Sequence, residues 1–399
     1  MANVSSSNGL EKRPRLAFRN TDGSHFPCWR QTSLGCIIEP YSEKVYGEHD
    51  YEVLTSSREG LQRQEDHFGS KQRHDTDGYN IIPFGYCTYR NRSDDGKFAF
   101  NINTISEKAI VSKFYPVFRF TNANSTFMAE FLNSSPRVKK KLSVLAVGTS
   151  QVVLSFAALK AAKFDLPCKD EQDKIAAFLE CLNTRIENQR TLVVALKKYK
   201  RGVVDGIFSR KLNFSYPQTW AELEISELFM PISDKGYSDK IVLTIVQGEG
   251  TMPRDSVDRR IAYDKSTISS YKRVLPNDFI LHLRSFEGGL EIVNEEGVVS
   301  PAYTILRARN EIIPLFFYTF FRSYWFINSK LRISVEGIRD GKSINMNTFW
   351  HIKVPVPSIE EQRHISALIS SIDNRIKIAE FEYKRLLQIR VGLMQQLFI

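Results

Sequence analysis

The sequence predicts a mixed α/β fold in which two globular domains with twisted sheets are separated by two long helices that form an antiparallel coiled coil. Two observations support this prediction. One stretch occurs twice without a gap, from Pro167 to Phe208 and from Pro357 to Phe398, and both copies carry a heptad repeat of apolar residues. The segments before each copy contain short apolar runs separated by turn residues, which is typical of strands. We therefore expect an internal duplication with pseudo-twofold symmetry.

The two copies share residue identities at equivalent positions. Glu171-Gln172 in the first copy corresponds to Glu361-Gln362 in the second. The other identical pairs are Pro167/Pro357, Ile175/Ile365, Ala177/Ala367, Arg185/Arg375, Ile186/Ile376, Leu196/Leu386, Gly202/Gly392 and Phe208/Phe398. Two unrelated surface helices would have no reason to share this register, so the stretches are interpreted as copies of one element.

Each copy has the a/d pattern of a coiled coil over about five heptads, which makes each helix roughly 55 Å long. The seam residues predicted to hold the helices together and to dock partners are Ile175, Leu179, Leu182, Ile186, Leu196, Ile365, Ile369, Ile372, Ile376 and Leu386. One seam position is basic in both copies, Lys200 and Arg390. The second helix has a capping-box start, Ser358 with Glu361, whereas the first has Cys168 in place of the serine.

These patterns divide the chain into four segments. The globular domains are predicted at 1–166 and 211–356, and the long helices at 167–210 and 357–399. Strand-like runs occur at 35–38, 51–55, 81–86, 98–100 and 114–120, and the second domain repeats their order about 190 residues later, with Val242-Leu243-Thr244 and Val274-Leu275-Pro276 among them. A helix is predicted over 125–133, and Phe349-Trp350 is interpreted as a strand.

Composition limits the class of protein. The formal net charge is +10 with a pI near 9.2, which suggests a polyanionic partner such as nucleic acid. No apolar run approaches the ~18–20 residues of a membrane span, and residues 1–10 lack the apolar core of a signal peptide. The five cysteines form no CxxC pair, so neither a disulfide framework nor a zinc site is expected. We expect a cytoplasmic protein with reduced thiols.

One glycine-containing stretch, Gly337 to Ser343, has part of the pattern of a phosphate-binding P-loop. It has three residues between the glycines where that loop requires four, and the following residues 344–347 are a poor helix start. The chain also lacks the Asn-Pro-Pro-Tyr or Asp-Pro-Pro-Tyr motif of an adenine methyltransferase. No catalytic or metal-ligating residues are therefore predicted.

The chain resembles, over essentially its whole length, the specificity subunit of type I restriction–modification systems. The most specific match is Val354 to Gln362, followed by Ile365, Leu368, Asp373 and Gln396-Leu397-Phe398. Leu166 to Gln172 matches less closely, and Asn183 stands where the second copy has Asp373. In the second domain, Pro276 to Phe279 and Gly297 to Tyr303 also look like that family's target-recognition domain.

The resemblance implies a DNA-recognition subunit without chemistry of its own. Each globular domain would be a target-recognition domain that binds one half of a bipartite, gapped site on double-stranded DNA. The long helices would be spacers that dock modification subunits, two in number, and restriction subunits. S-adenosylmethionine, ATP and Mg²⁺ would be bound by those partners. If the helices pair antiparallel, the two globular domains would lie at opposite ends of them.

Residues that contact DNA in such a protein would be polar or basic and lie on loops. Three zones occupy matching places in the two domains: the loop after the Val-Leu-Thr strand, the segment before the Pro-containing strand, and the hairpin after it. The candidates are Ser57, Arg58, Arg63, Lys71, Arg73, Tyr89, Arg90 and Arg92 in the first domain, and Gln247, Arg254, Arg259, Arg260, Lys272, Arg273 and Arg284 in the second.

Two other functions remain open from the sequence. The chain could be a single-chain restriction–modification enzyme with a cryptic catalytic site, although the missing methyltransferase and P-loop motifs argue against it. It could also be a basic coiled-coil scaffold protein that recognises no sequence. The matching polar and basic loops in both domains argue against a scaffold.

Overall fold

The structure of the protein is a computed structural model, which describes residues 14–69, 75–212, 219–257, 265–282, 286–337 and 342–398. The chain forms two compact units. Unit 1 contains Met1–Gln189 and Glu382–Ile399, and unit 2 contains Arg190–Phe381. Both long helices cross the unit boundary, so each unit contains a segment of both helices.

Unit 1 contains twelve strands among its described residues. They are β1 Arg30–Ser33, β2 Ile38–Tyr41, β3 Glu52–Ser57, β4 Gly60–Arg63, β5 Asn80–Pro83, β6 Cys87–Tyr89, β7 Arg92–Ser93, β8 Phe100–Ile102, β9 Lys108–Val111, β10 Val117–Phe120, β11 Val152–Val153 and β12 Lys163–Leu166. Its helices are α1 Gln64–Phe68, α2 Ser125–Ser134, α3 Pro136–Leu145 and α4 Phe156–Ala161, followed by the long helix α5 Lys169–Phe208.

Unit 2 has a similar order of elements. Its described strands are β13 Ala221–Glu224, β14 Phe229–Ile232, β15 Leu243–Val246, β16 Gly250–Pro253, β17 Lys272–Val274, β18 Phe279–His282, β19 Glu291–Ile292, β20 Gly297–Val299, β21 Tyr303–Ala308, β22 Val335–Glu336, β23 Ser343–Ile344 and β24 Lys353–Val356. Its helices are α6 Ile225–Leu228, α7 Pro314–Phe321 and α8 Met346–Trp350, followed by the long helix α9 Ile359–Leu397.

The main sheets of the two units have equivalent strand orders. Unit 1 has four-stranded sheets in the orders β2-β10-β6-β8 and β4-β3-β9-β5, in which β3 and β9 run parallel. Unit 2 has the order β14-β21-β18-β19, and a parallel bridge between Val242 and Val298 lies where unit 1 pairs β3 with β9. In both units, a two-stranded ribbon leads into the long helix: β1 with β12, and β13 with β24. This agreement confirms the predicted duplication.

Aromatic side chains of a short helix fill the main core of each unit. In unit 1, Phe127 and Phe131 of α2 stack at 5.8 Å between ring centroids and meet Phe398 at 5.9 and 5.6 Å. In unit 2, Phe316 and Phe320 of α7 lie 5.6 and 5.0 Å from Phe208. The end of one long helix therefore completes the core of each unit, since a buried aromatic ring removes a large apolar area from water.

The long helices confirm the predicted coiled coil within each unit. α5 has 40 residues and α9 has 39, so each is about 60 Å long. In unit 1, Arg185 pairs with Glu382 at 3.5 Å and Arg390 donates to Asn183 at 2.9 Å. In unit 2, Lys197 pairs with Glu380 at 2.6 Å and Lys200 with Asp373 at 2.6 Å. Residue numbers rise on one helix as they fall on the other, so the segments run antiparallel in both units.

The predicted seam residues are mostly buried. Ile175, Leu179 and Ile365 are inaccessible to solvent, and Ile186, Ile369, Ile372, Ile376 and Leu386 are at most 9% exposed. Leu182 and Leu196 are half-buried. The basic seam residues point to polar partners, because Lys200 meets Asp373 and Arg390 meets Asn183 and Glu130. Burial is what a helix seam requires, but it leaves most of these side chains unavailable for the predicted docking of partners, since other side chains form the accessible surface of the helices.

The repeated Glu-Gln motif fixes the start of each long helix. In unit 1, the Gln172 side chain accepts from Asn124 N at 2.9 Å and donates to Pro167 O at 3.0 Å. In unit 2, Gln362 accepts from Ile313 N at 3.0 Å and donates to Pro357 O at 2.9 Å. Both glutamines are almost fully buried. The motif therefore joins the long helix to the residue that precedes the core helix, and its recurrence has a structural reason.

The Pro276–Phe279 motif is also structural. Asn277 has a left-handed φ of 73°, and Asp278 is 2% exposed. The Asp278 carboxylate accepts two hydrogen bonds of 2.7 Å from Arg307 and one of 2.8 Å from Leu275 N. A buried carboxylate requires such partners, because desolvating an unpaired charge is costly. The motif braces the turn between β17 and β18.

Two local predictions were wrong and one was confirmed. Phe349 and Trp350 belong to helix α8, not to a strand, because the Asn345 side chain caps that helix by accepting from Thr348 N at 3.1 Å. Residues 344–347 are therefore an adequate helix start.

The predicted cap of the second long helix is present, since Ser358 Oγ accepts from Glu361 N at 3.2 Å. Residues 338–341 of the P-loop-like stretch lie outside the described residues.

Candidate nucleic-acid interface

In unit 1, two of the three predicted zones meet on one concave surface. The β3–β4 hairpin supplies Ser57 and Arg58, and the segment after β6 supplies Arg90 and Arg92. The depression has a volume of about 100 Å³, and Lys97 also lines it. Since these arginines and this lysine are exposed, the surface presents several positive charges to solvent. Such a concentration of basic side chains suits a DNA backbone and the base edges beside it.

In unit 2, the equivalent elements form a larger depression of about 640 Å³. Gln247 lies at the tip of the β15–β16 hairpin, Arg254 follows β16, and His282 ends β18. The His282 ring lies 5.3 Å from the ring of Tyr303, which also lines the depression. The two units thus use the same elements to present different side chains.

Several basic candidates in unit 1 have partners within the protein. Arg58 pairs with Asp95 at 2.6 Å, and the Arg92 guanidinium lies 5.1 Å from the centroid of the Phe114 ring. Arg63 pairs with Glu52 at 2.5 Å. The pKa of Glu52 lies below its usual value, mainly because Ser106 donates a hydrogen bond to it and also because Arg63 does. Arg63 therefore has a bracing role on the β3–β4 sheet.

The basic pair before the Pro-containing strand of unit 2 is also engaged. Lys272 donates to Tyr303 O at 2.6 Å, and desolvation lowers the pKa of its ammonium group. Arg273 pairs with Glu296 at 2.8 Å, and its guanidinium lies 4.7 Å from the Tyr237 ring. Both side chains are half-buried. Their contacts stabilise the β17–β20 pair, so they are less available to DNA than Gln247.

Tyr89 is a correction to the predicted interface. Its side chain is fully buried, and its hydroxyl donates to Leu154 O at 2.9 Å. Burial raises the pKa of this hydroxyl well above its usual value. The ring stacks on Phe100 in the core, so Tyr89 cannot contact a ligand in this fold. Lys71, Arg73, Arg259, Arg260 and Arg284 lie outside the described residues, and their role remains a prediction.

Sequence reasoning missed three residues beside the unit 1 surface. Asp95 accepts the hydrogen bond from Arg58, Lys97 lines the depression, and Phe114 is 50% exposed beneath Arg92. The signal for Phe114 was its place after Lys113 at the turn between β9 and β10, where an aromatic side chain has no strand partner to cover it. Asp95 gave no signal, because its partner is 37 residues away.

Unit 2 contains a second depression, which Gly248 of the β15–β16 hairpin also lines. It has a volume of about 860 Å³ and lies beside the α5 and α9 segments of that unit. Of its basic residues, Lys200 and Arg322 are paired with Asp373 and Glu291 respectively. Arg201 and Lys377 also line this cleft, and both are exposed.

Within the parts of the chain that the structure describes, no group of three or more His, Cys, Asp or Glu side chains is arranged to hold a metal ion. No helix in those same parts is both long enough and apolar enough to cross a lipid bilayer.

Comparison with known sequences identifies relatives. A family profile described as "Type I restriction modification DNA specificity domain" matches residues 39–196 and 217–388. A putative type I restriction enzyme MjaX specificity subunit of Methanocaldococcus jannaschii is 24% identical over 224 residues, 52% of this chain and 51% of that protein. The MjaVIII specificity subunit of the same organism is 24% identical over 215 residues, covering 52% and 47%. The chain spans about half the length of these curated relatives.

Solved structures share the fold. The type I restriction–modification S subunit from M. genitalium is 17% identical, with a TM-score of 0.55 over 97% of this chain and 99% of that one. A chain from a study of complex assembly and conformational transition of the type I R-M system is 16% identical, with a TM-score of 0.56 over 93% and 97%. The likeness extends over both units, and at these identities it shows the architecture.

Proposed function

The chain belongs to the type I restriction–modification DNA specificity family, and from this we propose that it recognises a bipartite, gapped DNA target, one half with each unit. The observation that supports this proposal most is the pair of equivalent concave surfaces. In unit 1, the β3–β4 hairpin and the segment after β6 present polar or basic side chains together. In unit 2, the β15–β16 hairpin and the end of β18 do the same. Such side chains can reach base edges in the major groove, which an α-helix or a two-stranded ribbon can enter.

The two halves of the target should differ. The unit 1 surface is dominated by arginines, Arg58, Arg90 and Arg92, whereas Gln247, Arg254 and His282 line the unit 2 surface. Arginine contacts guanine most often, whereas glutamine pairs with adenine through two hydrogen bonds. Because equivalent elements of the two units present different side chains, we expect the two halves of the DNA target to differ in sequence.

We propose that the chemistry resides on partner subunits. Modification subunits would bind S-adenosylmethionine and methylate adenine, and restriction subunits would bind ATP and Mg²⁺. This chain would supply recognition and docking without catalytic residues of its own. The long helices carry apolar side chains that are at least 37% exposed. In unit 1 these are Phe178, Leu387, Ile389 and Val391, and in unit 2 Leu192, Val194, Tyr199, Ile378 and Phe381. Exposed apolar side chains that recur along a helix suit a helical partner.

A methylome tests the recognition proposal. The chain would be expressed with its modification subunit in cells that lack other methyltransferases, and N6-methyladenine would be mapped by long-read sequencing. We expect one gapped motif with two short unlike halves and one methylated adenine in each. An ungapped motif would contradict recognition by two units. If no motif appears and random duplex competes fully for binding, a scaffold function is supported instead; methyl transfer by the isolated chain would support a cryptic enzyme.

The docking proposal predicts that Phe381→Ser prevents co-purification of the modification subunit. Phe381 is 68% exposed, so its loss should change the free energy of unfolding by less than about 1 kcal/mol. Asn374→Ser is the matched control, because it alters an exposed polar residue of the same helix. Pull-down of the tagged chain from cells that express both subunits gives the readout. Equal recovery of the modification subunit with both variants would rule Phe381 out as a docking residue.

A further inference from the structure

Arg58 pairs with a carboxylate at the tip of the β3–β4 hairpin. Its Nη2 donates to Asp95 Oδ1 at 2.6 Å, across 37 residues of sequence. The two side chains are 65% and 38% exposed. An ion pair as accessible as this one contributes little to stability. Its main consequence is therefore the position of the guanidinium, on a surface where several other basic side chains also meet solvent.

Asp95 is itself fixed by its own loop. Besides Arg58, its Oδ1 accepts from Ser93 Oγ at 2.9 Å and from Lys97 N at 3.3 Å. Partial desolvation acts to raise the pKa of Asp95, but the hydrogen bonds from Ser93, Lys97 and Arg58 outweigh it and lower the pKa to about 2. The carboxylate is consequently charged at any pH at which DNA stays double-stranded, and it offers Arg58 a fixed acceptor.

The backbone beneath Arg58 is anchored as well. Asn101, which is 8% exposed, donates from Nδ2 to Ser56 Oγ and to Ser57 O, both at 2.8 Å. Ser57 Oγ in turn donates to Gly60 O at 3.0 Å across the turn. Gly60 has a φ of +125°, a conformation that only glycine adopts readily. Both ends of the Arg58 side chain are therefore restrained.

Restraint of this kind favours bidentate recognition. A guanidinium has five N–H donors in a planar fork, and the bond to Asp95 uses one of them. The remaining donors can reach the O6 and N7 acceptors of guanine, which is the commonest specific contact of arginine with DNA. An arginine that is already oriented loses less conformational entropy on binding than a mobile one.

We propose that Arg58 contacts guanine in the major groove and that Asp95 is the positioning residue that orients it, so that the pair specifies one G·C base pair in the half-site bound by unit 1. This inference rests on the proposed function. The equivalent hairpin of unit 2 has Gln247-Gly248-Glu249 at its tip, where Gly248 N donates to Glu291 Oε1 at 2.9 Å. The described tip of unit 2 lacks an arginine, and the effect should therefore be confined to one half-site.

The test uses the full chain in complex with its modification subunit and a random-sequence duplex library as substrate, with methylated motifs read by sequencing. Arg58→Ala should lower the preference for the G·C pair at one position of one half-site by about tenfold or more. Asp95→Asn should relax the same position. Asp94→Asn is the matched control: Asp94 accepts from Gln151 Nε2 at 3.0 Å, so this variant removes the same charge from the same loop without altering the partner of Arg58.

The possible results distinguish a failure of this inference from a failure of the proposed function. A wild-type complex without a gapped motif would contradict the proposed function itself. A gapped motif that is unchanged in Arg58→Ala or in Asp95→Asn overturns the inference and leaves the function intact. A uniform loss of methylation in Asp95→Asn, with every position of the motif preserved, would give Asp95 a structural role only and would also overturn the inference. Relaxation at one G·C pair in both variants, but not in Asp94→Asn, supports it.

Discussion

Replacing Ile376 by aspartate is expected to unfold unit 2 at moderate denaturant. Ile376 is 8% exposed and lies in the apolar core of that unit with Ile369 and Ile372. Truncating a buried isoleucine costs about 2–5 kcal/mol, and the new carboxylate would in addition be desolvated without a partner. We expect a loss of at least about 4 kcal/mol in the free energy of unfolding. Urea titration of the full chain, followed by circular dichroism at 222 nm, measures it.

The control for this variant is two residues away on the same helix. Ile378 is 69% exposed, so Ile378→Asp places the same charge on the outer surface of α9. The expected change is within about 1 kcal/mol, which reflects the lower helix propensity of aspartate. Since both variants have the same composition, a difference of several kcal/mol between them reports mainly the difference in burial. Equal midpoints for the two would mean that the seam does not stabilise the protein.

Gln362→Ala is expected to destabilise the protein by about 2–4 kcal/mol. The Gln362 side chain is 1% exposed and bonds to Ile313 N and to Pro357 O. Its removal leaves a buried donor and a buried acceptor without partners, and each such group costs about 1–3 kcal/mol. Gln362→Glu should not rescue the loss, because a carboxylate cannot donate to Pro357 O. Thermal unfolding of the full chain gives the measurement.

Gln395→Ala provides the comparison, because Gln395 is exposed near the other end of α9. Alanine has the highest helix propensity, so this variant should be neutral or slightly stabilising. The equivalent change in unit 1, Gln172→Ala, should behave as Gln362→Ala does. If removing either buried glutamine were harmless, the repeated Glu-Gln motif would need an explanation other than the start of the long helices.

The periodic parts of the fold could be predicted from the sequence. An apolar pattern that extends over about five heptads is a strong signal for a long helix. Because the pattern recurs 190 residues later, the two copies indicate the same helix boundaries independently. The bounds of α5 and α9 agree with the prediction within two residues at each end. Phe349-Trp350 was predicted as a strand because aromatic residues have a high strand propensity. The side-chain cap at Asn345 and the burial of Phe349 stabilise a helix there instead.

The candidate interface could be predicted only in part. Composition and order placed Arg58, Arg92 and Gln247 on loops, and these residues lie on the concave surfaces, while their contact with DNA stays a prediction. Tyr89 was misplaced because a three-residue strand is too short for alternation to show which face is buried. The motifs that carry the family resemblance, Glu-Gln and Pro-Asn-Asp, bond to the backbone or to buried partners. They identify the architecture and carry no information on the target.

The position of Phe398 in the core of unit 1 affects the order in which the two units can fold during synthesis. Its ring packs on Phe127 and Phe131, which precede it by about 270 residues of sequence. At a synthesis rate of about 5–20 residues per second, the ribosome needs roughly 15–50 s between those residues. During that interval the core of unit 1 lacks Phe398. Phe127 and Phe131 are then incompletely covered, and such exposed apolar surface promotes aggregation or chaperone binding. Unit 2, whose contacts lie within a continuous stretch of chain, can finish first, so the unit that is begun earlier is completed later.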